Sequence, residues 1–286
     1  MKNLLKPMLD YYDEHNNHYK KRLDSENVNN NLWELTSTQE TSLKQAYIEY
    51  EELYHKNELN KLNRYNFFNI QEKENYLFLF DSSLSFFRNL KKNAKYINGQ
   101  AIGDCPFCEH GKPTTLDHIV PKEVKNGFPE FCDNPLNLIP MCQACNGKKG
   151  TIFKNEKGQL ELINLYRDEL PNDTQYLYVK SSLTSNSIIK VEFYFDGSQI
   201  KDSDLARRLG NTYDYLDLFN YYNDLSTDKI DVLKNQIIQA KGLNVFTKET
   251  LRDFIIKQNY ILNYWEHVLT RELVSSPQIY DILYSS

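Results

Sequence analysis

The sequence lacks any long apolar segment. No part of the 286-residue chain approaches the roughly 20 consecutive apolar residues that a helix needs to cross a bilayer. The N-terminus, MKNLLKPMLDYYDEHNN, has no apolar core of signal-peptide length, and acidic residues follow at once. We therefore expect a soluble, cytoplasmic protein that does not bind membranes.

The sequence also lacks an excess of positive charge. The formal net charge is −5, which excludes proteins that coat nucleic acids through bulk electrostatic attraction to phosphate. A small local basic surface remains compatible with this value. Because 40% of the residues are hydrophobic, the chain can bury a core as one large domain or two smaller ones.

Cysteine is scarce, and its placement is informative. The chain has 5 cysteines, of which four form the Cys-x-x-Cys pairs Cys105/Cys108 and Cys142/Cys145. In a reducing compartment such pairs bind metal more often than they form disulfides. Two pairs complete the tetrahedron that zinc prefers and leave no open position for catalysis. We therefore predict a structural Zn²⁺, with Cys132 as a small buried residue.

The chain is predicted to have an α+β fold in three regions. Residues 1–100 are predicted to be helical, with one helix opening at Ser37 and Glu40 in capping-box spacing and another over residues 71–97. Gly, Pro and Cys cluster in residues 101–152, which we assign as the compact site-bearing module. Residues 153–286 are predicted to form strands and then helices.

In this third region, β-branched and aromatic residues predict strands at LELINLY, TQYLYVKSS and SIIKVEFYFD. The longest predicted helix is TKETLRDFIIKQNYILNYWEHVLTREL, with Thr247 and Thr250 at its predicted start. The aromatic-rich segment YDYLDLFNYYNDL is either core or a partner surface. In the first region, the run NVNNN is predicted to be a loop.

A histidine with polar neighbours lies between the cysteine pairs. We expect a β-hairpin that carries Asp117 and His118 and returns through Asn137, followed by a short helix that carries Asn146. Asp117 and Asn146 offer the hard oxygen ligands that suit Mg²⁺ or Mn²⁺. A neutral imidazole at His118 can take a proton from water. This combination favours metal-assisted phosphodiester hydrolysis.

Three lysines flank this predicted pocket. Lys122 lies across the hairpin, and Lys148 and Lys149 follow Asn146. They either hold phosphate oxygens as point charges or form an ordinary solvated surface. The residues alone leave both interpretations open.

The motifs C-P-F-C, L-D-H-I-V-P-K, N-P-L-N-L-I-P-M-C and C-N-G-K-K-G resemble, in order and spacing, the HNH endonucleases with their ββα-metal fold. The resemblance extends from Asp104 to Gly150. It implies that His118 is the general base and that Asp117 and Asn146 bind the catalytic divalent ion. It also implies that Asn137 braces the hairpin and orients the base. The two cysteine pairs match the zinc clamp of the family.

The resemblance implies an in-line attack by water that leaves a 5′ phosphate and a 3′ hydroxyl. The flanking regions are similar to those of HNH proteins from bacterial anti-phage systems, such as the Septu-like nucleases that work beside an ATPase partner. Such a partner would explain an acidic nuclease, since it could supply affinity for DNA or restrain the enzyme.

Two other functions stay open at the level of sequence. One is a zinc-stapled module that binds nucleic acid or protein without cutting. The other is a nuclease that acts on RNA or tRNA, because the predicted pocket contacts a phosphate and not a base.

Overall fold

The chain folds into two compact units of mixed helix and small sheets, an α+β fold. The computed structural model describes residues 1–25, 32–81 and 84–285. One unit spans Lys2–Glu169, and the other spans Leu170–Ser286 together with Met1. The regions predicted as 1–100 and 101–152 therefore lie in the same unit. The predicted NVNNN loop lies outside the described residues.

The first unit contains five helices and two strands among its described residues: α1 (Tyr11–Leu23), α2 (Ser37–Lys56), α3 (Ile70–Tyr76), α4 (Ser85–Asn93), β1 (Thr115–His118), β2 (Leu138–Met141) and α5 (Gln143–Lys149). Short 3₁₀ turns occur at Leu59–Lys61, Leu77–Leu79, Pro129–Phe131 and Pro135–Asn137. The strands β1 and β2 pair with each other in antiparallel orientation.

The start of α2 differs by one residue from the prediction. The capping box is formed by Thr36 and Gln39 instead of Ser37 and Glu40. The Thr36 side chain accepts a hydrogen bond from the Gln39 backbone N–H, while the Gln39 side chain accepts one from the Thr36 backbone. The predicted motif is thus present but is displaced by one residue along the chain.

The prediction of a single helix over residues 71–97 is wrong. Helix α3 ends at Tyr76, a 3₁₀ turn follows, and α4 starts only at Ser85. Phe80 has an extended backbone, with φ −90° and ψ 99°. Its ring contacts His118 and Phe87, with centroid distances of 4.6 and 4.8 Å. This tertiary packing overrides the local helical periodicity.

The core of the first unit is rich in aromatic residues. Helices α1, α2 and α3 pack around the loop that joins β1 to β2, so that Phe131, Cys132 and Leu136 are buried among tyrosines of the helices. Cys132 is fully buried, as predicted. The helices therefore support the loop between the two strands directly.

The second unit contains β3 (Leu177–Leu183), β4 (Ile189–Phe195), α6 (Ser203–Tyr215), α7 (Leu218–Gly242), α8 (Lys248–Gln258), α9 (Trp265–Ser275) and α10 (Pro277–Ser285). The antiparallel pair β3–β4 confirms two of the predicted strands. Helix α9 packs on β3, and α7 packs on β4. In the aromatic-rich segment, Tyr213 and Tyr222 are buried, which favours the core interpretation.

The prediction of a strand at LELINLY is wrong. These residues belong to the first unit, and Leu160 forms only an isolated bridge with Lys154. The backbone N–H of Asn164 donates to Asp168, and the Asn164 side chain accepts from the N–H of Tyr166. These bonds close a turn in place of a strand.

The prediction of one long helix from Thr247 onwards is also wrong, because this segment forms two helices, α8 and α9. Thr247 caps the start of α8, as predicted. Between the two helices, the Arg271 guanidinium donates to the backbone carbonyls of Asn259, Ile261 and Leu262. These bonds satisfy carbonyls that a continuous helix would have paired within itself. No helix in the described ranges is long and apolar enough to cross a membrane.

Candidate functional site

Two strands and a helix bring the predicted site residues together. In the antiparallel pair, Asp117 lies opposite Ile139 and His118 lies opposite Leu138. Cys142 is the single residue between β2 and α5, and it forms the N-cap of the helix. Helix α5 packs on β1. The short connection fixes the position of α5 relative to the strands. Most predicted site residues lie on or directly next to these three elements, whereas Cys105, Cys108 and Lys122 lie in the loops before and after β1.

The four paired cysteines form one buried cluster. Their sulfur atoms all lie within 4.8 Å of one another, and the Cys108 and Cys142 sulfurs are 3.8 Å apart. Zinc–sulfur bonds of about 2.3 Å in a tetrahedron place sulfurs about 3.8 Å apart. The cluster can therefore hold a structural zinc ion. Gly111 lies against it, since an added Cβ would meet the Cys142 Cβ at 3.0 Å.

Hydrogen bonds within the cluster divide its thiols into two that ionise more readily and two, Cys105 and Cys145, whose pKa is raised. Hydrogen bonding from Cys105 lowers the pKa of Cys142 and brings the pKa of Cys108 to about 7. Backbone N–H groups of Gly111 and Cys145 point at the sulfurs of Cys108 and Cys142, each at 3.4 Å. These donors stabilise thiolate, the form of cysteine that binds metal.

His118 is buried and has a defined tautomer. Its Nε2 lies 2.9 Å from the carbonyl oxygen of Cys132. A carbonyl only accepts, so Nε2 carries the proton and Nδ1 keeps its lone pair. Burial lowers the pKa of His118 to about 3, and the positive charge of Lys122 contributes to the same shift. The imidazole is therefore neutral at physiological pH.

Asp117 forms a buried ion pair that the sequence did not predict. Its Oδ2 lies 2.8 Å from Nζ of Lys149, and Lys149 also donates to the backbone carbonyl of His118 at 2.7 Å. Burial raises the pKa of Asp117, and Lys149 opposes that shift. The ammonium group of Lys149 thus contacts Asp117, the predicted metal ligand. A contact between Lys149 and a substrate phosphate remains a prediction.

Asn146 lies on the face of α5 that is turned to β1. Its Nδ2 donates to Oγ1 of Thr115 at 2.9 Å, and the Thr115 hydroxyl donates to the carbonyl of Met141 at 2.7 Å. Thr115 and Asp117 share one face of the strand, and Asn146 and Lys149 share one face of the helix. Oxygen atoms of Asp117 and Asn146 therefore lie on surfaces that face each other.

Asn137 connects three parts of the first unit. Its side chain accepts from the Val120 backbone N–H at 2.8 Å and from the Tyr50 hydroxyl at 3.0 Å. It also donates to the backbone carbonyls of Val120 and Phe131, at 3.2 and 3.1 Å. Val120 follows His118 by two residues. The fully buried Asn137 therefore ties the segment after His118 to helix α2 and to the loop before β2.

A buried polar network next to His118 was missed by the sequence analysis. Both carboxylate oxygens of Asp133 lie 2.9 Å from Nδ1 of His15, and Tyr47 donates to Asp133 at 3.2 Å. Nε2 of His15 lies 2.8 Å from the Tyr76 hydroxyl. His15 lowers the pKa of Asp133 against the effect of burial. Asp133 follows Cys132, the residue whose carbonyl orients His118. No local signal marks a pair separated by 118 residues.

The remaining predicted lysines differ in exposure. Lys122 is half-buried, with Nζ 3.6 Å from the centre of the Phe80 ring. Its charge acts on the pKa values of both Asp117 and His118. Lys148 is exposed on α5. Lys122 therefore lies beside the site, and Lys148 lies on its outer surface.

The chain is similar to two known proteins. It is 25% identical over 195 residues to protein Ea31 of Escherichia phage lambda, which covers 62% of this chain and 63% of that protein. It is 40% identical over 48 residues to the Septu protein PtuB of Bacillus thuringiensis, which covers 17% of this chain and 18% of PtuB. The chain thus spans less than two thirds of either relative. No protein-family model and no solved structure matches it.

Proposed function

We propose that this protein is a metal-dependent HNH endonuclease, with a ββα-metal site, that hydrolyses phosphodiester bonds in DNA. The observation that carries the proposal is the state of His118. Its protonated nitrogen donates to a backbone carbonyl, and the residue directly follows Asp117 on β1. A neutral imidazole that is oriented by one nitrogen and has a lone pair on the other can act as a general base.

Asp117 and Asn146 would hold the catalytic Mg²⁺ or Mn²⁺. Both are oxygen donors on facing surfaces, and the Asp117 carboxylate is already paired with a positive charge, that of Lys149. When bound, the ion supplies charge stabilisation to the phosphate and to the leaving oxygen. The four cysteines would hold a structural Zn²⁺ that takes no part in the reaction, since a closed tetrahedral site has no free position.

In the proposed reaction, Nδ1 of His118 removes a proton from water while the water oxygen bonds to phosphorus. The bond from phosphorus to the 3′ oxygen breaks, and that oxygen takes a proton from solvent. The Cys132 carbonyl stabilises the imidazolium that forms, because it already accepts from Nε2 at 2.9 Å. Asn137 keeps the segment after His118 in place. The products carry a 5′ phosphate and a 3′ hydroxyl.

We further propose that Lys122, Lys148 and Lys149 contact phosphate oxygens of the substrate, and that the protein acts in anti-phage defence with an ATPase partner. The similarity to the Septu protein PtuB supports the role in defence. The net charge of −5 supports a partner, because the whole chain gives no long-range attraction to DNA.

The test is cleavage of supercoiled plasmid by purified protein in Mg²⁺, Mn²⁺ or EDTA, with a structured RNA in parallel. Asp117→Ala and Asn146→Ala remove the proposed ligands, and the exposed residues Asp173→Ala and Asn172→Ala are matched controls. We expect metal-dependent DNA cleavage with 5′-phosphate ends, lost in the two site variants and kept in the controls.

Three outcomes would contradict this proposal. Cleavage that persists in EDTA would exclude the metal-dependent mechanism. Cleavage of RNA alone would assign the protein to the RNA nucleases. Binding of DNA without cleavage under any condition, including co-expression with a candidate ATPase, would make it a binding module.

A further inference from the structure

The segment between Asp81 and Asp104 has an unusual charge composition. It contains Arg88, Lys91, Lys92 and Lys95 but no aspartate or glutamate. The chain as a whole has more acidic than basic residues, 39 against 34. A run of one sign in an acidic protein is therefore a local feature, and most of it lies on helix α4.

The basic side chains of α4 share one face. Arg88, Lys91 and Lys92 are separated by three and four residues, the spacing that places side chains on the same side of a helix. Arg88 and Lys92 are exposed, and Lys91 is partly exposed. Within the described part of the chain, none of the three forms an ion pair with a carboxylate. Among the residues that the structure describes, no paired carboxylate offsets their mutual repulsion.

The apolar face of α4 fixes the helix on the site-bearing strands. Phe87 is fully buried and packs with Leu116 of β1 and Leu138 of β2. These contacts hold one side of α4 against the hairpin, and the basic side chains flank that side, with Lys91 nearest to the hairpin. The orientation of α4 is thus set by the strand pair that includes β1, the strand that carries Asp117 and His118.

Lys91 locates the basic face relative to the site. Its Nζ donates to the carbonyl of Thr114 at 2.8 Å. Thr114 directly precedes Thr115, whose hydroxyl accepts from the Asn146 side chain at 2.9 Å. The contact of Phe87 with Leu116 places α4 on the face of β1 that also carries His118, so the basic face borders the start of that strand.

We propose that Arg88, Lys91 and Lys92 form a phosphate-binding surface that holds the DNA backbone beside the bond to be cut. This proposal rests on the proposed function, because the location of the surface matters only if the neighbouring site acts on nucleic acid. Charge complementarity selects the ligand: a polyanion with regularly spaced phosphates offsets the repulsion among these three cations. A surface of this kind gives an acidic protein local affinity for DNA without base specificity.

The test is binding of a fluorescein-labelled DNA duplex in EDTA, measured by fluorescence anisotropy over a range of salt concentrations. The variant is the triple substitution Arg88→Gln, Lys91→Gln, Lys92→Gln. The control is Lys20→Gln, Lys56→Gln, Lys157→Gln, which changes the net charge equally at exposed positions of the same unit. Zinc content and circular dichroism verify that both variants are folded.

We expect the triple variant to bind at least about tenfold more weakly and to lower the slope of log K against log salt by about 2.7, or about 0.9 for each phosphate contact. The control should bind within about twofold of the wild type, since its lysines touch no phosphate. Lys92→Glu alone should weaken binding more than Lys92→Gln, because a negative charge repels the backbone.

The result that would overturn the proposal is equal weakening by the two triple variants, or no binding of DNA by the wild-type protein at low salt. Displacement of DNA by polyglutamate at equal charge concentration would instead assign the surface to an acidic protein. Because binding is measured in EDTA, a protein that binds through this face but never cleaves would refute the proposed nuclease and leave this proposal standing.

Discussion

Asn137→Ala should destabilise the first unit strongly. The substitution removes one side chain that makes four hydrogen bonds in a fully buried position. Two donors, the Val120 backbone N–H and the Tyr50 hydroxyl, lose their acceptor. Each buried donor left unsatisfied costs about 1–3 kcal/mol, so we expect a loss of about 3–5 kcal/mol in the free energy of unfolding.

The assay is urea unfolding followed by fluorescence in a Trp265→Phe background. The chain has 2 tryptophans, so Trp33 then reports on the first unit alone. Tyr50→Phe provides a double-mutant cycle, because its hydroxyl donates only to Asn137 among the described residues. Tyr50→Phe should cost about 1 kcal/mol in the wild type but should stabilise Asn137→Ala by about 1–3 kcal/mol, because it removes a buried donor that has lost its acceptor. A loss below about 1 kcal/mol in Asn137→Ala, or an equal cost of Tyr50→Phe in both backgrounds, would refute this reasoning.

Three further predictions follow from buried groups. Cys145→Ser should reduce bound zinc from about one ion per chain to none, by mass spectrometry of the purified protein, and lower the melting temperature. Lys149→Met should cost about 3–5 kcal/mol by leaving the Asp117 charge without a partner, and Mn²⁺ should recover part of this in thermal melts. Burial raises the pKa of Glu130 from 4.5 to about 7. The free energy of unfolding should therefore fall as the pH rises from 4.5 to about 7, because Glu130 ionises in the unfolded chain before it ionises in the folded protein. Glu130→Gln should then stabilise by about 3 kcal/mol at pH 8 and by almost nothing at pH 4 in urea unfolding.

Each of these predictions has a clear contrary result. Cys145→Ser protein with full zinc content and an unchanged melting temperature would exclude the cysteine cluster as the zinc site. An unchanged melting temperature in Lys149→Met would show that the ion pair with Asp117 does not stabilise the unit. Equal stabilisation by Glu130→Gln at pH 4 and pH 8 would contradict a raised pKa at Glu130.

The local sequence was sufficient to predict features that depend on residues close together in the chain. The two Cys-x-x-Cys pairs predicted the cluster, because each pair places two sulfurs on one tight turn. The strand before Cys142 was predicted from its apolar residues, and the helix after it was predicted from the position of the second cysteine pair. The β3–β4 pair was predicted from β-branched and aromatic runs separated by turn residues.

Contacts between residues that are distant in the chain determined the features that the local sequence pattern did not predict. The helix predicted over residues 71–97 is interrupted because Phe80 packs on His118. The helix predicted from Thr247 is divided because Arg271 binds the carbonyls between its two halves. The pair of His15 and Asp133 could not be found from sequence, because it depends on how α1 packs against the loop before β2.

The most direct test of the central claim is the nicking rate of His118→Ala relative to the wild type on supercoiled plasmid with saturating Mn²⁺. His55→Ala, an exposed histidine on α2, is the matched control, and zinc content verifies that the site is folded. General-base catalysis contributes about 10²–10⁴-fold, so we predict a decrease of at least about 100-fold in His118→Ala and no change in His55→Ala. A His118→Ala rate within about threefold of the wild type, far below that contribution, would contradict the assignment of His118 as the general base.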